Sequence, residues 1–254
     1  LIGSAATPAN SIYLYTDYSG GGGITTGAIE ANSTQLFAYN GNIATGDINA
    51  VNTGASSVQL SAYSGSVAVG GSIDAASVYL QASGSGTAGI VNVTGNINAA
   101  AATTHPNNIT IQADQSISTG TLDADSVSLG SYYCCSSETV AVGAIGSHLP
   151  GNRVEVSGTS VTIGGGVALD GTGSGQTMYL SASGDLTLSG DVTFGQSDGI
   201  YLSANGMITL LPGGGNITAA NGVSYIDIRA GNGNVALPFQ FKTIHAGTDG
   251  AGNF

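Results

Sequence analysis

Residues 57–76 read SVQLSAYSGSVAVGGSIDAA. Apolar and polar positions alternate with period two from Val58 through Leu60, and again from Val67 to Val69. That is the strand pattern, because successive side chains of a strand point to opposite faces. Gly65, Gly70 and Gly71 interrupt it where turns are needed. The expected core set is Val58, Leu60, Ala62, Val67, Val69, Ile73 and Ala75, and the expected surface set is Gln59, Tyr63 and Asp74. The stretch therefore reads as three short strands joined by turns, too small to bury anything alone.

It is also one copy of many. Equivalent first segments place an aliphatic anchor at Leu14, Leu36, Leu60, Leu80, Ile111, Leu129, Val156, Leu180, Leu202 and Ile228, about 24 residues apart on average. A second segment follows in each unit, as in NIATGDINA from Asn42 and DLTLSGDVTF from Asp185. A fixed period of 20–50 residues is the mark of a repeat architecture. Three strands and their turns close one coil, and coils of the same kind stack at ~4.8 Å. The expected fold is all-β, a right-handed parallel β-helix (solenoid) of about ten coils, the hand following from that of parallel crossovers. Ten coils make a rod of roughly 48 Å. A sandwich gives no reason for this period, a propeller needs about 40–50 residues per blade, and the leucine-rich repeat signature is missing. The whole chain, 1–254, reads as one domain, with end segments 1–10 and 246–254.

Composition narrows the function classes. The chain carries 15 acidic and 3 basic residues, a net charge of −12. No basic face for phosphates is possible, so nucleic acid is excluded as a partner. An anionic membrane surface is disfavoured, and no apolar run approaches the ~18–20 residues of a spanning helix. No signal peptide is visible at Leu1, so the sequence reads as a mature fragment or a piece of something longer. The only cysteines, Cys134 and Cys135, are adjacent. A strained vicinal disulfide, free thiols and a cross-link between chains are all open. No zinc spacing surrounds them.

Columns of the repeat carry what chemistry there is. Inward pairs such as Ile12 and Leu14, Met178 and Leu180, and Ile226 and Ile228 read as core, followed by a small residue at Ala38, Ala62, Ala82, Ala113, Ala182, Ala204 and Ala230. The outward position between each pair, with its flanks, collects Tyr13, Tyr15, Phe37, Tyr39, Tyr63, Tyr79, Tyr179 and Tyr201. This candidate face suits sugars or a protein partner; equally, tyrosine favours exposed strand positions and stacks across rungs. In the third strand Glu30, Asn49, Asp74, Asn98 and Asp123 alternate acid with amide. Alternation places carboxylates ~10 Å apart, about one Debye length, and amides ladder by hydrogen bonding. No calcium nonapeptide appears, so no metal is expected. Asp123 and Asp125 flank a turn and read as solvated. His105, His148 and His245 fall in separate units, and no nucleophile–base–acid spacing emerges. A lyase on such a fold needs clustered carboxylates or basic residues on one face, and the three basic residues here form no such set. Neither catalysis nor a cofactor is expected.

Two units are stretched, giving loop insertions near 84–107 and 131–152. Insertions in a solenoid emerge on its flank, where specificity tends to reside. The second carries Tyr132, Tyr133, Cys134 and Cys135, the candidate loop site.

The unit L-x-A-x-G-x-Φ-x-Φ-x-G-x-I-x-A, clearest in VQLSAYSGSVAVGGSIDA and MYLSASGDLTLSGDV, resembles the repeats of filamentous-haemagglutinin-type bacterial exoproteins of the two-partner secretion family. The resemblance spans nearly all of 11–245 and is one of repeat style; the amino-terminal secretion domain of that family is not apparent. It implies a shaft without catalysis, secreted to the bacterial cell surface and serving adhesion, biofilm matrix or filaments. The expected partners are copies of the chain or neighbouring repeats of a longer chain, end to end, or else surface glycans or a host or cell-surface protein. The rival expectation is a carbohydrate-binding or carbohydrate-cleaving β-helix that uses the tyrosine face.

Overall fold

In a computed structural model, the chain winds as a β-solenoid of parallel strands, with no helix among the described residues. The structure describes residues 9–50, 56–84, 87–99, 107–131, 138–147, 153–169, 176–194, 199–210, 216–219, 226–231 and 243–246. The regular stack amounts to about seven turns spaced about 24 residues apart, so the expected ten is an approximate count.

The opening stretch shows how one turn is made. Ser57–Ala62 lies in a first sheet, Val67–Val69 in a second and Ile73–Asp74 in a third. The second sheet has nine strands. The first and third are continuous through Ile29–Ala38, which pairs with Ile48–Asn49 near its start and with Ser57–Ala62 near its end. Every expected anchor is in register with the next: Leu14 with Leu36, Leu36 with Leu60, Leu60 with Leu80, Leu80 with Ile111, and so on to Leu202 with Ile228. Register holds because a slip of one residue would turn every aliphatic side chain outward.

All seven expected core residues of the opening stretch are buried. They join like-on-like columns such as Ile29, Ile48, Ile73, Ile97 and Leu122 in the third sheet. One column departs from aliphatic: Thr34 sits between Ile12 and Val58, fully buried, and its hydroxyl has no hydrogen-bond partner. Leu14, expected in the core, is instead 36% exposed. It lies on Ala9–Thr16, which pairs with Ile29–Ala38 on one side only among the described strands. Ile228 is half-buried near the other end.

The corners are closed by a recurrent device. The residue before a strand offers a side-chain oxygen to the backbone of the equivalent residue one coil on. Ser72 N–H donates to Asp47 Oδ1 (2.8 Å), Asn96 N–H to Ser72 Oγ (3.2 Å) and Thr121 N–H to Asn96 Oδ1 (2.9 Å). At the next corner Ser66 N–H donates to Asn42 Oδ1 (2.8 Å) and Ile90 N–H to Ser66 Oγ (3.3 Å). Ala76 N–H donates to Ser56 Oγ (3.0 Å) at the third. Corner amides that no strand ladder reaches are satisfied in this way. Gly65 permits a close approach of backbone to backbone, since a Cβ there would strike the Gly41 carbonyl of the preceding coil.

The stretches expected as insertions are partly regular. Ile90–Val93 and Ile97–Asn98 fall within 84–107, and Thr139–Val142 and Ile145–Ser147 within 131–152, all of them strands of the stack. No described helix is long and apolar enough to cross a membrane.

Candidate functional sites

The first sheet places the tyrosines on its outer surface, in groups rather than one strip. Near the chain's start, Tyr13 meets Phe37 (centroids 5.7 Å) and Tyr15 (6.0 Å), while Tyr39 stacks on Tyr63 at 5.1 Å. Tyr15 is 63% exposed, and Tyr18, which no repeat column singles out, is 74% exposed. Tyr79 is half-buried, and its hydroxyl donates to Gln112 Oε1 at 2.9 Å. Rungs of Thr110, Ser128 and Glu155 follow. Then Tyr179 stacks on Tyr201, with centroids 4.4 Å apart and planes 2° from parallel. The Arg153 guanidinium lies 5.1 Å from the Tyr179 ring centroid and pairs with Glu155 at 2.9 Å. The Tyr179 and Tyr201 rings therefore lean on each other, whereas Tyr13, Tyr15 and Tyr18 are open to solvent.

The acid and amide column is in register as expected: Glu30, Asn49, Asp74, Asn98 and Asp123. All five are half-buried. Burial raises the Asp74 carboxyl above its usual range; a hydrogen bond with the Asn98 side chain lowers it in part, and the Asp47 charge adds to the rise. Beyond Asp123 the column continues as Gly146, which has no side chain, and Ala168, which has only a methyl, and this leaves a shallow depression of about 340 Å³ between Asp123 and Asp191.

Three carboxylates contradict their sequence reading or escaped it. Asp125, expected to be solvated, is fully buried, and its Oδ2 accepts the Asn107 N–H at 2.8 Å. It takes the corner position that Ser56 holds three rungs earlier, so its local sequence looks like a loop while its side chain faces inward. Asp114 and Glu138 lie at the corner between the first and second sheets, 7% and 1% exposed. Burial first, then the Asp114 charge, pushes the Glu138 carboxyl up to about 8. The register sets Glu138 level with Gln115 and Gly89, and Asp114 level with Ser83, so each acid stands in a corner position where neighbouring coils carry an uncharged residue.

Tyr132, Tyr133, Cys134 and Cys135 lie outside the described residues, as do His105 and His148. His245 falls in register with Thr218, on Thr243–Ala246. Among the described residues no group of three or more His, Cys, Asp or Glu is placed to hold a metal. Comparison with known proteins finds no matching family model, no matching curated protein and no matching solved structure.

Proposed function

We propose that this chain is a structural and adhesive shaft, secreted to the bacterial cell surface, whose work is mechanical and involves no catalysis. The observation that carries the reading is the in-register stack of anchors from Leu14 to Ile228. A continuous aliphatic column inside continuous hydrogen-bonded sheets resists bending and stretching along its length, since each coil contacts its neighbours throughout. The resemblance to filamentous-haemagglutinin-type repeats supports the same role. The exposure of Leu14 supports continuation end to end. A further coil laid on Ala9–Thr16, from a neighbouring stretch of chain or from another copy, buries Leu14 and pairs the strand edge that no described strand covers.

Negative-stain imaging with light scattering over a concentration series tests the assembly. Rods whose lengths are multiples of one unit are expected to grow with concentration. Single units at every concentration refute self-assembly and leave the shaft only as a segment of a longer chain.

The open group of Tyr13, Tyr15 and Tyr18 favours a second reading, binding of surface glycans by ring stacking. Binding to a glycan array that Tyr15→Ala abolishes supports it; no binding by the parent chain removes it.

A further inference from the structure

Where the first sheet hands the chain to the second, Asp114 follows the buried Ala113, and Glu138 immediately precedes Thr139–Val142. The two residues belong to successive coils, held side by side by a bond from Thr139 N–H to the Gln115 carbonyl (2.9 Å). Neither carboxyl oxygen of Glu138 has a hydrogen-bond partner. Asp114 Oδ2 accepts the Gly84 N–H at 3.0 Å, and Oδ1 has none. Three carboxyl oxygens thus share a buried corner without a donor. Gly89 packs closely against them, since a Cβ there would come to 2.8 Å from the Gly84 carbonyl oxygen and 3.2 Å from the Asp114 Cβ. The described ion pairs, Arg153 with Glu155 and Arg229 with Asp227, have largely exposed arginines on the outer surface of the first sheet. Buried carboxylates without donors call for a counter-charge.

We propose that Asp114 and Glu138 together bind one divalent, oxygen-seeking cation, for which calcium is the best chemical match. Two carboxylates balance a charge of two. An all-oxygen donor set disfavours the softer transition metals. Two side chains leave most of the coordination sphere to backbone carbonyls and water, an irregular arrangement that calcium accepts and magnesium, with its octahedral demand, does not. The ion would fasten successive coils at a corner where neither carboxyl can fasten them alone. No metal-binding signature marks these residues in the sequence.

The test uses the full chain stripped with chelator, melted by circular dichroism while calcium chloride is titrated through about 1 mM, the range of weaker protein calcium sites. A rise in Tm of about 5 °C or more at saturation is expected, with one calcium per chain in native mass spectrometry. Glu138→Gln and Asp114→Asn should each weaken binding at least tenfold, while Asp74→Asn, on the third sheet, should leave it intact. A Tm unmoved by calcium overturns the proposal. So does a rise that Glu138→Gln retains, or one that sodium chloride at matched ionic strength reproduces.

Discussion

Replacing Glu138 with Gln in chelated buffer should make the protein more stable, and increasingly so as pH rises. In the unfolded chain the carboxyl ionises near its ordinary value of 4.5, and in the folded chain only near 8. Below pH 4.5 both states hold the proton, and the residue has no linked effect. Between 4.5 and 8 the unfolded chain has lost a proton that the folded chain keeps, so stability falls with pH. Above 8 both are ionised and the loss is complete. A tenfold difference in acidity between the folded and unfolded chain corresponds to about 1.4 kcal/mol. The gap therefore implies a ceiling of about 5 kcal/mol, and relaxation around the carboxylate leaves an expected effect of roughly 2–5 kcal/mol. Gln keeps the shape and cannot ionise, so the variant should gain that amount at pH 9 and little at pH 5. The series begins there because the isoelectric point is about 4.1, where the protein is least soluble. Urea unfolding of both proteins at intervals of pH gives the two curves. Curves that run parallel from pH 5 to pH 9 refute the reasoning, because they require Glu138 to be ionised in the fold throughout.

Three further outcomes follow from the core, the corners and the stacked rings. Thr34→Val should raise stability by about 1 kcal/mol, read as a higher urea midpoint, because it removes a buried unpaired hydroxyl at nearly constant volume; a lower midpoint contradicts it. Gly65→Ala should cost several kcal/mol or prevent folding, since its methyl meets the Gly41 carbonyl, whereas Ala68→Ser, on the open outer side of the second sheet, should change stability by less than about 0.5 kcal/mol; comparable losses in both would show that the close approach does not matter. A double-mutant cycle on Tyr179 and Tyr201 should return a coupling of about 0.5–1.5 kcal/mol, and strict additivity would mean that the rings contribute only as separate surfaces.

The first-sheet anchors are legible in the sequence because period-two alternation is a local property, and because an aliphatic residue in one coil demands its like in the next. The corners are not. Ser72, Asn96 and Asp47 look like ordinary turn residues in the sequence, and their role depends on a partner amide 24 or 25 positions away. Asp125 misleads for the same reason: beside a turn it reads as solvated, yet it is fully buried and its carboxylate accepts the Asn107 N–H, 18 positions away. Leu14 misleads in the opposite sense. Its column is the most regular in the chain, but burial needs a neighbour on both sides, and the described strands supply one. The tyrosine column lies on the outer surface as its alternation requires, and what the sequence hides is its grouping, since Thr110, Ser128 and Glu155 interrupt the aromatic rungs.

The corner bonds also give the rod a direction. The side chains of Asp47, Ser72 and Asn96 each accept from the coil that follows and so point the same way along the axis. Asp114 and Asp125, which accept from the coil before, are exceptions. Together with strands that all run parallel, this makes the two tips of the rod chemically unlike: one asks for acceptors that the other offers. Two copies meeting at like ends would leave these corner acceptors facing one another, so a symmetric, self-limiting pair is disfavoured. Unlike tips can meet and repeat without closing, and a fibre built that way inherits a vector that every coil already carries.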